Sequence, residues 1–322
     1  MQRVNYLLAA LVVSVISLAE AAERAYPSKP IRLIVPYAPG GGNDTMARAI
    51  GGKLTAAWGQ QVIIDNRPGA NGLLAGEIAA RAAPDGYTLF MANIASHAIN
   101  PALYKKIPYD AVKDFAPVSL LGTTANVLVV HPSTPVKSLQ ELINLAKAKP
   151  GQLTYGSNGT GSSQHLAGAL FGSTFGLSLV HVPYKGTGPM MNDMLGGQIS
   201  MSFANMVAAL PQVQSKRLVP IAVTSLKRAS ALPDVPPVAE TAPGFEATSW
   251  WGVVATGGTP PGVVDALNRE IVKGLGAPDM KAFFARVGAE PRGMTPQEFA
   301  AFIRSELAKW GKVVRESGAR AD

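Results

Sequence analysis

The hydrophobic pattern near the start of the chain predicts a strand, a glycine-rich loop and a helix in succession. A β-branched apolar run at residues 31–35 is typical of a buried strand, and it stops at Pro36. Three consecutive glycines follow at positions 40–42. Beyond them, large apolar residues recur at helical spacing, at Met46, Ile50, Leu54 and Trp58.

Short apolar runs and helical patterns alternate along most of the chain. Strands are predicted at residues 61–65 and 87–91, and the alternation restarts after a strand-like run at 127–130. A second glycine-rich turn, at residues 156–163, again lies between a short strand and a helical pattern. Because strands that alternate with helices form mostly parallel sheets, the pattern predicts an α/β protein.

The length favours two domains, because about 300 residues exceed what one hydrophobic core usually serves. The first strand to cross between them is predicted at residues 123–125, and the return strand begins at Ser249. We therefore expect residues 22–123 and 249–322 to form domain I and residues 124–248 to form domain II.

Each glycine loop predicts a site for an anion. The first amides of a helix have no partner inside the helix, and glycine lacks the Cβ that would keep a ligand away from the backbone. Neither Gly-x-x-x-x-Gly-Lys-Ser/Thr nor Gly-x-Gly-x-x-Gly is present at the first loop, so a carboxylate fits better than a nucleotide. The alternative is a plain turn that needs glycine for a positive φ.

The first 21 residues have the features of a secretory signal peptide. Arg3 precedes an apolar run at residues 6–18, which is too short to span a membrane, and Ala19-Glu20-Ala21 is a cleavage motif. The chain has no cysteine, which excludes a lipid-attachment cysteine, a disulfide and a thiolate metal site. We expect the mature protein to be free in the periplasm.

Charge and composition argue against a nucleic-acid partner. The net charge is +8, yet the lysines and arginines are scattered and the chain is predicted to be exported. A hydrophobic content of 47% indicates a packed protein rather than a disordered one. The diffuse positive charge would attract small anions.

Candidate catalytic residues are few. The strand at 87–91 delivers Asn93, Ser96, His97 and Asn100 to the carboxyl edge of the sheet. Ser96 and His97 could be a nucleophile and its base, but adjacent residues rarely face one another, so a polar pocket or helix cap is preferred. Ser157, Ser162 and Ser163 lack the Gly-x-Ser-x-Gly elbow. No metal motif or cofactor fingerprint is present, so neither a metal nor a cofactor is expected.

Several ordered stretches resemble the Bug-type periplasmic solute-binding receptors of tripartite tricarboxylate transporters, over nearly the whole mature length. They include residues 26–31 (Tyr-Pro-Ser-Lys-Pro-Ile), 36–41 (Pro-Tyr-Ala-Pro-Gly-Gly), 66–70 (Asn-Arg-Pro-Gly-Ala), 84–88 (Pro-Asp-Gly-Tyr-Thr), 114–118 (Asp-Phe-Ala-Pro-Val), 182–186 (Val-Pro-Tyr-Lys-Gly) and 232–236 (Leu-Pro-Asp-Val-Pro). The resemblance implies a two-lobed α/β periplasmic-binding-protein fold of type II character. In that fold two mixed, mostly parallel sheets are flanked by helices and joined by two crossing strands that act as a hinge.

The resemblance also implies a small organic acid held between the lobes by the loops at residues 37–45 and 156–163. The candidate ligand-binding residues are Tyr37, Ala38, Gly40, Gly41, Asn43, Asp44, Ser96, His97, Gly156, Ser157, Gly161, Ser162, Ser163, Tyr184, Lys185, Ala204, Asn205 and Trp250. Where the family often has acidic residues, this chain has Ser200 and Ala204, which favours a purely acidic ligand, aliphatic or aromatic, over an amino acid.

Three functions are compatible with these features. The first is a monomeric receptor that delivers the acid to inner-membrane transporter subunits. The second is a periplasmic hydrolase or transferase that acts on a small acid in the same cleft. The third is a ligand-sensing co-receptor for a membrane sensor kinase, which differs from the first only in its partner.

Overall fold

A computed structural model describes residues 26–317 and 319 of the chain. The predicted signal peptide, residues 1–21, lies outside the described residues. Within the described part, no helix combines the length and apolar character needed to cross a membrane.

The first part of the chain forms a parallel sheet covered by helices. Strand β1 (Ile31–Val35) pairs in parallel with both β2 (Val62–Asn66) and β3 (Thr88–Asn93). The helices of this part are α1 (Gly42–Trp58), α2 (Leu73–Ala80) and α3 (Asn100–Leu103), with a 3₁₀ turn at Ala70–Gly72 and a π-helical turn at Ala95–Ile99. The predicted strand at 61–65 is thus shifted by one residue.

The middle of the chain forms a second sheet. Strand β5 (Thr154–Ser157) pairs in parallel with β6 (Val180–Pro183) and β7 (Met201–Asn205). The remaining strand of this part is β8 (Val219–Val223). Its helices are α4 (Leu139–Ala148), α5 (Ser163–Phe175), α6 (Thr187–Leu195) and α7 (Met206–Gln214), with a 3₁₀ turn at Val238–Glu240.

Two strands join the sheets. Strand β4 (Phe115–Val130) pairs antiparallel with β9 (Thr248–Thr256) up to Ala125, and from Asn126 onward with β7 and β8. Strand β9 also pairs antiparallel with β3. We call the elements on the first sheet lobe I and those on the second sheet lobe II. The two-lobed fold is confirmed, whereas the exact domain boundaries stay a prediction. Parallel pairing is confined to β1 with its neighbours and β5 with its neighbours, so the strands that join the lobes are antiparallel throughout the described residues.

The C-terminal segment returns to lobe I. It comprises α8 (Pro261–Gly276), α9 (Pro278–Arg286), a short strand β10 (Glu290–Pro291) on β4, and α10 (Pro296–Ser317). Helix α10 begins with a capping box, as its Thr-Pro-Gln-Glu sequence at residues 295–298 favours, because the Glu298 amide donates to Thr295 Oγ1 and Glu298 Oε2 accepts from the Thr295 amide. Helix α10 packs on the π-helical turn, on β4 and on α5.

The adjacent tryptophans of β9 face opposite sides of the sheet, as the alternation of a strand requires. Trp250 belongs to the core that contains Phe299 and Phe203, and Trp251 belongs to the core that contains Met46 and Leu267. The indole nitrogens of Trp250 and Trp310 both donate to Glu306 Oε2 at 3.0 Å. Burial raises the pKa of Glu306, although Lys309 and the two indoles act in the opposite direction. The Trp250 indole is therefore held in place by a hydrogen bond to the buried Glu306 carboxyl group.

Candidate functional site

A cavity of about 410 Å³ lies where the two glycine loops meet between the lobes. The predicted ligand-binding residues that line it are Tyr37, Ala38, Gly40, Gly41, Asn43, Ser162, Ser163, Lys185, Asn205 and Trp250. They come from both lobes and from β9, so the topology brings together segments that are far apart in the sequence.

The first loop is held in shape by Asp44, in the first turn of α1. Asp44 Oδ2 accepts hydrogen bonds from the Gly40 amide at 3.0 Å and from Arg48 Nε at 2.9 Å, and Oδ1 accepts from Asn66 Nδ2 at 3.1 Å. Burial opposes ionisation of this carboxyl, but the bonds from Arg48, Gly40 and Asn66 outweigh it and lower the pKa. Asp44 is thus ionised and stabilises the loop, and it does not line the cavity.

Tyr37 is held by two asparagine side chains, Asn71 at its hydroxyl and Asn66, whose Nδ2 donates to the Tyr37 carbonyl at 2.9 Å. The Tyr37 hydroxyl donates to Asn71 Oδ1 at 2.8 Å, and Asn71 Nδ2 donates to Asn100 Oδ1 at 3.0 Å. Asn71 has a φ of 51°, in the left-handed region that asparagine tolerates better than most residues. Burial raises the pKa of Tyr37, so it presents a neutral ring to the cavity.

The second loop is braced by its own polar side chains. Ser162 caps α5 by accepting from the His165 amide at 3.2 Å, and Gln164 Oε1 accepts from the Asn158 amide at 2.8 Å. The Gly161 amide donates to His165 Nδ1 at 3.0 Å. His165 in turn stacks on His181, with ring centroids 3.9 Å apart. Burial lowers the pKa of His165 to about 4 and, together with the neighbouring His165, that of His181 to about 3, so both rings are neutral near pH 7.

Four helices begin at the cavity. The first residues of α1, α5 and α6 line it, as does Asn205, the N-cap of α7. The amides of Gly42 and Asn43 in α1 and of Thr187 and Gly188 in α6 have no hydrogen-bond partner among the described residues. Helix N-termini carry partial positive charge and free N–H donors, so together they form a site suited to an anion.

Within the described part of the chain, Lys185 is the only charged residue that lines this cavity. It is exposed at the rim. The remaining polar groups are neutral amides and hydroxyls, including Asn43, whose Oδ1 accepts from Asn93 Nδ2 at 2.9 Å. No carboxylate is therefore available in the lining to pair with a ligand ammonium group.

One wall of the cavity is apolar. Trp250, Trp251, Met191 and Ile94 contribute to it. A Cβ on Gly42 would lie 2.9 Å from Trp251 Cζ2, so glycine at this position lets the first turn of α1 pack directly on the indole. The cavity lining thus combines hydrogen-bond donors with carbon surface, which suits an organic acid.

Eight predicted residues do not line the cavity, although they lie near it. Ser96 and His97 are fully buried behind β3, since the chain enters the π-helical turn there and His97 packs between Phe90 and Phe115. The others are Asp44, Gly156, Ser157, Gly161, Tyr184 and Ala204.

Each of these six has a structural environment of its own. A Cβ on Gly156 would meet Ile199, and one on Gly161 would meet Leu103. Tyr184 donates to Asp193 Oδ2 at 2.7 Å, and burial together with that carboxylate raises the pKa of the Tyr184 hydroxyl to about 12. Ala204 is part of the lobe II core.

Two serine–histidine contacts involve buried serines, and neither lines the cavity; a third, between Ser133 Oγ and His131 Nδ1 at 2.7 Å, is exposed. Ser96 Oγ lies 3.0 Å from His97 Nδ1, which corrects the expectation that these neighbours do not face one another. Ser157 Oγ lies 2.7 Å from His181 Nε2. Both serines are completely buried, so these contacts serve packing rather than attack on a ligand in the cavity.

Several lining residues were not among the predicted set. They include Asn158, Gln164, Thr187, Ser249 and Trp251, the apolar Ile94 and Met191, and Asn93, which was expected at the sheet edge but was not among the ligand-binding candidates. Asn93 ends β3 and Thr187 begins α6, so position at a strand end or helix start was a usable signal for both. The Oδ1 atom of Asn158 is buried without a hydrogen-bond partner among the described residues.

The chain is similar to known receptor proteins over most of its length. Residues 46–319 match the family model described as tripartite tricarboxylate transporter family receptor. Protein BugT of Bordetella pertussis is 39% identical over 297 residues, covering 92% of this chain and 91% of that protein.

Solved structures with the same fold include two that contain organic acids. An R. palustris protein solved with adipate has a TM-score of 0.89 and 36% identity, covering 92% of this chain and 99% of that one. MatC of Rhodopseudomonas palustris, solved with malate, has a TM-score of 0.85 and 31% identity, covering 90% of this chain and 100% of that one.

Proposed function

The chain belongs to the tripartite tricarboxylate transporter receptor family, and from this membership we propose that it captures a small organic acid in the interlobe cavity and delivers it to the membrane subunits of such a transporter. Family members and structural relatives are periplasmic binding proteins rather than enzymes.

One observation carries the proposal: four helix N-termini surround a cavity whose lining, within the described residues, includes one lysine and no carboxylate. The partial charges of the helices and the ammonium group favour a negative ligand. An acid that also carries an ammonium group would lose the water around that group without gaining a partner. The ligand we propose is therefore a carboxylic acid without an amine.

The size of the ligand follows from the cavity. A volume of about 410 Å³ suits a molecule of modest size, such as a di- or tricarboxylate or a single-ring aromatic acid. Relatives solved with adipate and malate support the class. The apolar wall with its tryptophans supports either a methylene chain or a ring.

Capture involves closure of the two lobes about β4 and β9. The donors of α1 belong to lobe I and those of α5, α6 and α7 to lobe II, so a ligand that touches both sets stabilises the state in which the lobes meet. We propose residues 22–123 with 249–322 and residues 124–248 as the two moving bodies, in a monomer that is periplasmic after removal of residues 1–21.

The test starts from ligand-stripped mature protein. Thermal unfolding and calorimetry are measured with succinate, malate, adipate, citrate and benzoate, and with aspartate as the matched partner of malate. We expect at least one acid to raise the Tm by several degrees, because a ligand at 100 times its Kd adds about 2.7 kcal/mol to the free energy of unfolding.

Malate and aspartate differ only in a hydroxyl against an ammonium group, so the pair tests the absence of an amine partner. Aspartate binding at least as tightly as malate would contradict the assignment of a purely acidic ligand. No binding by any acid of the panel would overturn the receptor proposal. Conversion of a bound acid during prolonged incubation would favour a hydrolase or transferase, and co-purification with a sensor kinase in place of transporter subunits would change the partner.

A further inference from the structure

Two serine hydroxyls meet at the point where β9 enters the cavity wall. Ser249 lies near the start of β9 and is 4% exposed, and Ser163 is the first residue of α5. Ser249 Oγ donates to Ser163 Oγ at 2.9 Å. Both residues line the cavity, so the contact links a crossing strand to a helix N-terminus that faces the ligand.

A buried amide, that of Asn126, lies on the other side of the Ser249 hydroxyl. Asn126 is fully buried, and its Nδ2 donates to the Ala247 carbonyl at 3.1 Å, which leaves Oδ1 on the side of Ser249. Oδ1 lies 3.4 Å from Ser249 Oγ. The Asn126 oxygen can only accept, so it competes with Ser163 for the single Ser249 proton, and the shorter distance places that proton on the bond to Ser163.

Further hydrogen bonds hold Asn126 in place. Its amide donates to Thr224 Oγ1 at 3.0 Å, and Thr224 Oγ1 donates in turn to the Ala247 carbonyl at 2.8 Å. Asn126 is also the first residue of β4 that pairs with lobe II, opposite Asn205. The orientation of the Ser249 hydroxyl therefore depends on the place where the strands change from one sheet to the other.

An accepted hydrogen bond leaves the Ser163 proton free. No acceptor for that proton is present among residues 26–317 and 319, and the hydroxyl belongs to a cavity-lining residue. Hydrogen bonds to carboxylates are about twice as strong as those between neutral groups, so a ligand carboxylate is the natural acceptor.

We propose that Ser249 is a positioning residue for ligand binding: it donates to Ser163 and so orients the Ser163 hydroxyl toward a ligand carboxylate. This inference rests on the proposed function, since it needs an acid in the cavity. Ser163 would contact the ligand, whereas Ser249 would act through Ser163.

A double-mutant cycle tests the proposal with the tightest-binding acid of the panel above. We expect S163A to weaken binding by about 10-fold or more, because it removes a hydrogen bond to a charged group. We expect S249A to weaken binding by about 3- to 10-fold, because an unheld hydroxyl must be ordered on binding. In the S163A background, S249A should have almost no further effect on the Kd.

The control is S202A. Ser202 is also a buried serine on a strand, and its Oγ donates to the Gly156 carbonyl at 2.9 Å, outside the cavity lining. S202A is expected to lower the Tm while leaving the Kd within about twofold of the wild-type value. If S249A does not fold, the isosteric pair S249T and S249V replaces it, and only the threonine variant should retain affinity.

The outcomes separate the two proposals. An equal loss of affinity from S249A in both backgrounds, or no loss at all, would overturn the positioning role while leaving the receptor function intact. A wild-type protein that binds no acid of the panel would overturn both.

Discussion

Gly161 offers a direct test of lobe closure, because it is a lobe II residue that lies against lobe I. A Cβ at this position would lie 2.1 Å from Leu103 Cδ2 and 3.0 Å from Asn71 Nδ2. Leu103 is buried, and Asn71 is bonded to Asn100 and Tyr37, so neither can move away freely. The G161A variant therefore places a methyl group where the two lobes touch.

The expected cost has two parts. Gly161 has a φ of +79°, so alanine there carries backbone strain of about 1–2 kcal/mol whether the lobes are together or apart. The contact with Leu103 adds about 1–3 kcal/mol of overpacking, but only when the lobes meet. Since the proposed capture requires that meeting, the second part should weaken the affinity by about 5- to 150-fold.

A matched control separates the two parts. Gly159 lies in the same loop with a φ of +144°, and a Cβ there would come no closer than 3.5 Å to the Tyr184 carbonyl oxygen. G159A should therefore lower the Tm without a comparable loss of affinity. Calorimetry with the acid identified from the panel gives the Kd, and small-angle scattering with and without that acid reports closure.

Rescue provides a second check. Adding L103A to G161A removes the atom that the new methyl group meets, so binding should recover toward that of L103A alone. If G161A binds the acid as tightly as G159A, the lobes do not need to meet at this point for capture, and the reasoning about closure is wrong.

Three further predictions concern charge. K185Q should weaken binding by about 2- to 5-fold, because Lys185 is exposed, and the loss should shrink at high salt while K147Q has no effect. D44A should lower the free energy of unfolding by about 2 kcal/mol in urea denaturation, since it removes the buried carboxylate that accepts from the Gly40 amide, Arg48 and Asn66, and it should also weaken binding. Burial lowers the pKa of His97 to about 3, below its unfolded value, so stability from the neutral ring is complete above about pH 6.5 and decreases as the pH falls. By pH 5 the loss from His97 alone should be on the order of 2 kcal/mol, and H97F should reduce the slope of unfolding free energy against pH by about one proton, whereas an unchanged slope would contradict the buried neutral state.

Local patterns predicted the regular elements well. Ser138 caps its helix, because the Glu141 amide donates to Ser138 Oγ at 3.2 Å, although the Glu141 carboxylate accepts from the Lys137 amide instead of the Ser138 amide; the full capping box is present at Thr295. Both depend on residues three positions apart, so their geometry is contained in the sequence. The two glycine loops were located for the same reason, since a strand end and a helix start flank each of them.

The side-chain directions at strand ends could not be read in this way. After β3 the chain enters a π-helical turn in which Asn93 Oδ1 accepts from the amides of Ala95 and Ser96. That turn leaves Asn93 at the cavity and sends Ser96 and His97 into the core. Sequence proximity to a strand end was therefore a correct signal for one residue and a wrong one for its neighbours.

Contacts between residues that are far apart in the sequence could not be predicted either. Ser249 reaches Ser163 because β9 returns between the lobes in one particular register, with Thr248 opposite Ala125. A shift of one residue would turn Ser249 to the other face of the sheet and put a tryptophan in its place. The sequence predicted the return strand, but pairing register depends on the packing of both faces at once.

The proposed recognition of an acid by helix N-termini also explains why ligand identity is hard to infer from the glycine loops. Amides at helix starts are ordered by folding itself, so they recognise a carboxylate without the desolvation cost of a buried arginine or lysine. In the proposed binding mode they contact only the carboxylate, however, and cannot distinguish ligands that differ elsewhere. Discrimination between acids must then come from the apolar wall and from Lys185 at the rim. Because Ile94 and Met191 on that wall lie outside the glycine loops, they can differ between receptors while the loop geometry stays the same, and one scaffold can serve acids of different length and shape.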